Sequence, residues 1–175
     1  EQLMGIYQDF IAIENQDLAD IKEMESKYDE FERNELRKRL EGMANVQTAD
    51  DFGLKDIPGD AYEQMAASLK NDQDWDEIQK MEWYEASQKL SQVDDYFHWR
   101  IEYPEVFYDS DGNTIDNPGF DAVIGNPPYV ISFRDDMKKF LEHRYPSFIR
   151  NNDLYTAFLE RGLELCRNGG TFSFI

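Results

Sequence analysis

The sequence is poor in residues that form disulfides or bind soft metals. It has one cysteine, Cys166, and two histidines, His98 and His143, all far apart in the chain. A single cysteine excludes an intramolecular disulfide and suits a reducing compartment. Soft ligands so few and so widely separated argue against a structural zinc site, and we expect no metal.

The sequence also lacks a long apolar run. No stretch approaches the roughly 20 apolar residues that span a bilayer. The opening segment, EQLMGIYQDF, has neither the basic flank nor the apolar centre of a signal peptide. We therefore expect a cytoplasmic protein without a membrane partner.

Positive charge is scarce. The 175 residues carry 18 Lys and Arg against 37 Asp and Glu, a net charge of −19. Residues 1–96 hold 10 basic and 25 acidic residues, a net charge of −15. Such a surface repels phosphate backbones, so any contact with nucleic acid needs a local site or basic surface outside this chain.

Residues 1–96 have the apolar period of helices. Apolar side chains recur every three or four positions from Ile21 to Met43, which predicts a long helix with one apolar stripe, half of a helical hairpin. Asp17 is a candidate N-cap in front of it. We interpret this region as an acidic helical insert or spacer.

The rest of the helical region contains two expected interruptions. Gly, Pro and Asp are mixed from Gly42 to Asp60, which predicts a connector. Helical spacing resumes over 61–97 and is interrupted at 71–75, where Asp74 is a candidate cap.

The pattern changes at residue 97. The segment WRIEYPEVFYD alternates and is aromatic, which favours packing of Trp99, Tyr103 and Phe107 on a sheet over stacking on bases. DSDGN at 109–113 has turn chemistry.

Residues 120–175 predict a strand–helix–strand unit. A compact apolar strand starts at Phe120 and can be covered on both faces, and a helix is expected at 136–144. NND at 151–153 is expected to cap a second helix, which runs from Leu154 to Arg167 and ends at the Gly169–Gly170 pair before TFSFI begins another strand. This order implies a parallel sheet, and a sequence that stops within a strand predicts a fragment of a larger protein.

The stretch FDAVIGNPPYV, residues 120–130, ends its strand in an unusual turn. Asn126 and Pro127 each precede a proline and are therefore extended, while Pro127 and Pro128 have fixed φ and no N–H. The turn is stiff and offers mainly acceptors, the Asn126 amide oxygen and the proline carbonyls. It follows the carboxyl end of a strand, where open α/β sheets bind ligands.

Two fixed acceptors beside the flat ring of Tyr129 suit a planar molecule with an amino group. The exocyclic nitrogen of adenine is a weak nucleophile because its lone pair is delocalised into the ring. Accepting both of its hydrogens favours a pyramidal nitrogen with the lone pair directed at an electrophile. A base in a duplex must be flipped out to reach such a site.

These residues resemble the catalytic motif of N6-adenine DNA methyltransferases, written (D/N)-P-P-(Y/F/W). FHWRIEYPEVF before the motif and DLYTAFLERGLELCRNGGTFSFI after it are similar to the methyltransferase region of large single-chain type II restriction–modification enzymes. The resemblance covers 97–175. It implies a partial class I, Rossmann-like α/β methyltransferase domain, preceded by the helical insert of residues 1–96.

By position, the resemblance implies that Asn126 and the Pro127 carbonyl accept from the adenine amino group. Pro128 would stiffen the turn, and Tyr129 would stack on the flipped base. The family's methyl donor is S-adenosylmethionine, held by a glycine-rich F-x-G-x-G loop. This sequence has no G-x-G, so the isolated chain is expected to be inactive, with double-stranded DNA bound mostly by parts outside it.

Other residues are weaker candidates for the substrate site. Asp153 and Tyr155 either line the pocket or only cap and pack the helix that follows 151–153. Arg134 and Lys138 lie in a locally basic stretch where a phosphate could pass, diluted by neighbouring acids. This stretch also contains Lys139, Arg144 and Arg150.

Two alternatives remain open at this point, and a third is rejected. Methyltransferases acting on protein glutamine or on guanine in RNA also use N-P-P-(Y/F). The chain could instead be an interaction module that self-associates through its helical region or an exposed sheet edge. ESK at 25–27 has the letters of a nuclease E-x-K motif but lies in a helical pattern, so we reject that interpretation.

Overall fold

The computed structural model describes residues 2–13, 17–128, 134–148 and 154–175. They form two compact units, Glu1–Asn113 and Thr114–Ile175. The proposed division of the chain at residues 96 and 97 stays a prediction. None of the described helices is long and apolar enough to cross a membrane.

The regular elements described in the first unit are all helical. Its helices are α1 (Gln2–Ile11), α2 (Leu18–Arg33), α3 (Glu35–Asp51), α4 (Ala61–Ser68), α5 (Asp72–Gln79), α6 (Glu82–Asp94) and the single turn α7 (Trp99–Glu102), followed by a 3-10 turn at Pro104–Val106.

The N-cap of α2 is the one expected. The Asp17 carboxylate accepts hydrogen bonds from the backbone N–H groups of Ala19 and Asp20, and the Asp20 carboxylate accepts from the Asp17 N–H in return. This reciprocal capping box satisfies backbone donors that the first turn of a helix leaves unpaired.

The single long helix predicted from Ile21 to Met43 is wrong, because two helices, α2 and α3, meet at Asn34. The Asn34 side chain accepts from the N–H groups of Leu36 and Arg37 and so caps α3. The apolar step from Phe31 to Leu36 is five positions, so the helical period is itself interrupted at Asn34.

The connector predicted from Gly42 is also wrong at its start, because α3 continues to Asp51. Gly42 lies inside the helix, where a Cβ atom would approach the Tyr84 hydroxyl to 2.2 Å. Gly42 thus allows Tyr84 of α6 to pack closely against α3, and it does not end the helix. The core around it consists of Met43, Val46, Ala61, Met65, Trp75, Ile78, Trp83 and Tyr84.

The interruption expected at 71–75 is present, but its cap is Asn71 and not Asp74. The Asn71 side chain accepts from the N–H groups of Gln73 and Asp74 at the start of α5. Asp74 lies three positions further along, within the first turn of that helix.

A buried arginine joins three segments of the first unit. Arg37 is 3% exposed, lies over the ring of Phe31, and forms ion pairs with Glu32, Glu41 and Glu102. Burying a guanidinium is tolerated here because several carboxylates compensate its charge.

The aromatic segment after residue 97 is not a strand. Trp99 begins α7, and its ring stacks on that of Tyr103 at 5.9 Å, while Phe107 is buried after the 3-10 turn. The rings pack on helical turns, so their assignment to a sheet is wrong. Asp109 accepts from the N–H groups of Asp111 and Asn113, which confirms the turn predicted at 109–113.

The second unit contains β1 (Phe120–Gly125), α8 (Asp135–Arg144), α9 (Leu154–Leu165) and β2 (Cys166–Phe174). The two strands pair in parallel, as predicted. Together with the helices of the first unit they make a mostly helical α/β chain with a small parallel sheet. Leu141, Tyr145, Phe148 and Ala157 form a core between α8 and α9.

The glycine pair does not end the second helix. Helix α9 stops at Leu165, and β2 includes Gly169 and Gly170. The ladder shifts register here, since β2 advances from Cys166 to Thr171 while β1 advances from Phe120 to Ala122. Gly169 has a φ of 80°, so the pair forms an irregularity within the strand.

Only one face of the sheet is covered by the described residues. Val123 and Gly125 pair with Phe172 and Phe174, whose rings meet α9 at Gly162. On the other face Ile124 is 70% exposed. The expectation that this strand is covered on both faces is therefore wrong for the described part of the chain.

Candidate active site

The Asn-Pro-Pro turn begins where β1 leaves the sheet. Gly125 is the last residue of the strand and pairs with Phe174, and its carbonyl oxygen accepts from the Ile175 N–H at 3.0 Å. Asn126 follows directly. Pro127 and Pro128 cannot donate to a ladder, so the strand cannot continue through them. The structure confirms that this turn lies at the carboxyl end of a parallel strand.

The three described turn residues differ in exposure. Asn126 and Pro128 are exposed, whereas Pro127 is buried. The Asn126 amide makes no hydrogen bond to any residue in the described ranges. A buried proline fixes the turn, and the asparagine in front of it presents an amide oxygen that can accept from a ligand.

The ring of Phe174 packs beside Gly125, the residue that leads into the turn. A Cβ atom at Gly125 would lie 3.0 Å from Cε1 and 3.4 Å from Cδ1 of Phe174, so the ring lies directly against the residue before Asn126. The ring of Tyr155 meets the ring of Phe174 edge-on at 5.9 Å.

Tyr155 therefore belongs to the same end of the sheet as the turn. It lies in the first turn of α9 and is 37% exposed, so part of its ring remains accessible. Tyr129 and Asp153 lie outside the described residues, and their roles stay predictions.

Two cations of the locally basic stretch, Arg134 and Arg144, form ion pairs. Arg134 pairs with Asp136 at 3.3 Å. A hydrogen bond from the Met137 N–H, and then the Arg134 charge, hold the pKa of the Asp136 carboxyl below its usual value. Lys138 is half-buried on α8 and has no ion pair among the described residues. Of the two predicted cations, Lys138 is the better placed to meet an external phosphate.

Arg144 is committed to the structure of the unit. Its two terminal nitrogens donate to the two carboxylate oxygens of Glu164 at 3.0 and 2.8 Å, which joins the end of α8 to α9. Arg161 also donates to Glu164. Burial pushes the pKa of Glu164 upward, but the hydrogen bonds from these arginines outweigh it and hold the pKa below its usual value.

Sequence reasoning missed the residues that support the turn. The ring of Phe174 packs at Gly125, and the adjacent rings of Phe172 and Phe174 pack at Gly162. The only sequence signals were a glycine inside a helical pattern and phenylalanines two positions apart on a strand. Neither signal indicates which element a ring will contact.

The described part of the second unit thus has a parallel strand that ends in an exposed asparagine and two prolines, with helices α8 and α9 before the next strand. Consistent with this, residues 7–175 match the family model described as Eco57I restriction-modification methylase. The chain belongs to that family.

Two curated relatives are similar to part of the chain. One is the type II methyltransferase M.BstVI of Geobacillus stearothermophilus, 34% identical over 79 residues, which cover 44% of this chain and 14% of that protein. The other is the putative type II restriction enzyme and methyltransferase RM.MjaORFECS2P of Methanocaldococcus jannaschii, 32% identical over 80 residues.

The second match covers 45% of this chain and 6% of that relative. The chain therefore spans only a small share of the length of these two proteins. No solved structure matches it significantly.

Proposed function

We propose that this chain is the target-amine part of a longer, S-adenosylmethionine-dependent methyltransferase of the restriction–modification type that methylates adenine N6 in DNA. The observation that carries the proposal is the exposed Asn126 held in front of the buried Pro127 at the carboxyl end of β1. Family membership supports the methyltransferase class, and the acceptor chemistry of the turn supports an amine as the target.

The chain's own residues act by orientation. The Asn126 side-chain oxygen and the Pro127 carbonyl each accept one hydrogen of the target amino group. The nitrogen lone pair is then held in a fixed direction without a strong base. Tyr129, directly after the turn, is the residue we assign to stacking on the flipped base, and Asp153 and Tyr155 border the same site.

The methyl donor is assigned to no described residue. S-adenosylmethionine supplies an activated methyl group when bound, and its site in this class needs a glycine-rich loop. The sequence contains no G-x-G, and at Gly125, the glycine that precedes the turn, the space beside the backbone is occupied by the Phe174 ring. The residues present do not fit the donor, so we expect the isolated chain to be inactive.

DNA is the proposed substrate and the cytoplasm the proposed location. The described part of the helical unit carries a strong excess of acid, so DNA must be bound chiefly by parts of the longer protein outside this chain. Within this chain we assign a phosphate contact to Lys138, with Arg134 weakened by its pairing to Asp136.

Methylation by the full-length protein tests the proposal. The protein is incubated with unmethylated duplex DNA and isotope-labelled donor, and the DNA is digested to nucleosides for mass spectrometry. We expect labelled N6-methyladenine. Asn126→Ala is expected to lower the rate by about 100-fold or more, because it removes one preorganised hydrogen-bonding partner. Asn113→Ala, the same change at an exposed asparagine of the first unit, is the matched control.

The assay also separates the alternatives. Label recovered in protein glutamine or in RNA, with none in DNA, would replace adenine as the target while keeping a methyltransferase. An unchanged rate in Asn126→Ala would overturn the assignment of the turn.

A second function for the isolated chain is self-association. The uncovered sheet face favours it, since Ile124 and Ile175 are 70% and 81% exposed. Sedimentation of the chain and of its Ile124→Lys variant tests this. A dimer that dissociates in the variant supports an interaction module, and a monomer at all concentrations excludes it.

A further inference from the structure

We propose that Phe174 is the positioning residue of the Asn-Pro-Pro turn and that Gly125 is a glycine because it admits the Phe174 ring. Gly162 admits the adjacent ring of Phe172 and, beside it, the edge of the Phe174 ring. The inference deepens the proposed function and rests on it for its catalytic meaning. The structural part of the inference is that the Phe174 ring determines the position of the Asn126 backbone. This part rests on the packing contacts of β1, β2 and α9.

The first contact lies between the ring and the turn. Gly125 is the residue immediately before Asn126, and it pairs with Phe174 across the ladder. A side chain at Gly125 would begin 3.0 Å from Cε1 of that ring and 3.4 Å from Cδ1. The first distance is shorter than an ordinary van der Waals contact, and the second is at its lower limit. The Phe174 ring therefore occupies the space that a side chain at Gly125 would need.

Neighbouring side chains hold the ring in place. The Phe172 ring lies 4.4 Å from it, centroid to centroid, and the Tyr155 ring meets it edge-on at 5.9 Å. Helix α9 packs mainly on Phe172, whose Cε2 is the atom nearest to a Cβ placed at Gly162, and that Cβ would also lie 3.3 Å from Cζ of Phe174. These contacts restrict the half-buried Phe174 ring, so a displacement of the ring also disturbs Phe172, Tyr155 or the packing at Gly162.

The consequence is a chain of contacts from α9 to the candidate catalytic asparagine. Helix α9 holds the ring of Phe174, the ring holds Gly125, and Gly125 sets the starting point of Asn126. Small displacements matter because a target nitrogen must be held in a near-attack geometry, where 1 Å of misplacement has large effects on rate. Phe174 touches no reacting atom, and so it acts through Asn126.

A suppressor experiment tests the contact. Gly125→Ala introduces the Cβ that meets Phe174, and Phe174→Leu removes the outer ring atoms that it would meet. The matched control is Phe172→Leu, the same change on the same strand and face, because Phe172 is not among the atoms nearest to a Cβ at Gly125. All variants are made in this chain and in the full-length protein.

The first readout is the side-chain amide resonance of Asn126 in the chain, which requires no activity. We expect Gly125→Ala to shift this resonance, and Gly125→Ala/Phe174→Leu to return it toward the wild-type position. Gly125→Ala/Phe172→Leu should retain more of the shift than the Phe174→Leu pair, because Phe172 packs on the Phe174 ring and does not itself meet the new Cβ. Equal rescue by the two leucines, or no shift in Gly125→Ala, would overturn the proposal.

The second readout is the split between kcat and KM in the full-length protein. Gly125→Ala is expected to lower kcat by about tenfold or more with KM for DNA within about twofold of wild type, and the Phe174→Leu partner should restore part of kcat. Equal losses of kcat in the Gly125→Ala/Phe174→Leu and Gly125→Ala/Phe172→Leu variants would show a general packing effect and contradict the positioning role of Phe174.

The two readouts separate this inference from the proposed function. Full-length protein without methyltransferase activity, combined with the expected resonance shifts, would overturn the function and leave the ring's positioning role intact. Methyltransferase activity of the full-length protein, combined with an Asn126 resonance that is the same in all variants, would support the proposed function and overturn the positioning role of Phe174. If Gly125→Ala fails to fold, the two single leucine variants are compared. The proposal then requires Phe174→Leu to shift the Asn126 resonance more than Phe172→Leu does, and an equal or smaller shift would overturn it.

Discussion

Arg144 and Glu164 join the two helices of the second unit through a pair of parallel hydrogen bonds, 3.0 and 2.8 Å long. The geometry matches the planar guanidinium to the planar carboxylate, which makes it stronger than a single contact between point charges. Both side chains are about one-third exposed, so solvent weakens the pair.

The first prediction concerns the strength of this pair. A double-mutant cycle with Arg144→Gln and Glu164→Gln should give a coupling free energy of about 0.5–1 kcal/mol by urea unfolding at neutral pH. The pKa of Glu164 is lowered in the folded chain, so the coupling is complete above the usual carboxyl pKa. It should disappear as the pH falls through the lowered value. Coupling that persists at pH 2 would contradict the assignment.

The second prediction separates structural from DNA-facing cations. In the full-length protein, Lys138→Gln should weaken binding to duplex DNA and reduce the slope of log affinity against log salt by about 1, because one phosphate contact is lost. Arg144→Gln serves as the control, since its charge is already paired with Glu164. We expect it to lower the unfolding temperature and to leave the salt slope unchanged. A slope altered only by Arg144→Gln would reverse the two roles.

The third prediction is a pH dependence that originates at His98. Burial lowers the pKa of this imidazole, and its Nε2 lies 2.7 Å from the Asn45 side-chain oxygen. Asn45 donates its amide to Gln88, so its oxygen accepts from a neutral, Nε2-protonated His98. The unfolded chain gains a proton near pH 6.5, and the folded chain does so only at lower pH.

The free energy of unfolding should therefore fall as the pH falls from 7.5 to 5.5. His98→Gln keeps a donor for Asn45 and removes the titration, so the variant should lose that part of the pH dependence. Because Glu102 and Glu105 have raised pKa values and contribute with the opposite sign, the difference between the two proteins is the quantity to measure. Identical pH profiles would refute the role of His98.

The fourth prediction concerns Gly42. Helix propensity alone would give the wrong sign for the stability change of Gly42→Ala. Replacing glycine by alanine inside a helix normally stabilises it by about 1 kcal/mol. At Gly42 the new Cβ would approach the Tyr84 hydroxyl to 2.2 Å, and overpacking of this kind costs about 1–3 kcal/mol. We expect Gly42→Ala to lower the free energy of unfolding.

Two companion variants make the Gly42 measurement specific. Gly5→Ala in α1 has no atom within 4 Å of its Cβ and should be neutral or stabilising. Adding Tyr84→Phe to Gly42→Ala removes the nearest atom and should recover part of the loss. A stabilising Gly42→Ala would show that α3 and α6 are separated more widely than described.

Local chemistry in the sequence predicted several features correctly. Asp17 caps α2, the turn at 109–113 forms around Asp109, and β1 and β2 pair in parallel on either side of helices. Each depends on residues near one another in the chain or on the fixed order of strands and helices. The wrong predictions have other causes. The apolar stripe departs from helical spacing at one step only, between Phe31 and Leu36, and the glycine within α3 resembles a break.

The sequence by itself determined the stiff turn at Asn126–Pro128, because proline fixes φ and removes donors wherever it occurs. It also determined the class of protein, since the motif and its flanks are local patterns. Only the tertiary structure decided what holds the turn, namely Phe174 under Gly125, and which cations are committed to carboxylates, as Arg144 is to Glu164. Those relations join residues 20 or more positions apart, and such pairings depend on how helices and strands pack, which local spacing does not encode.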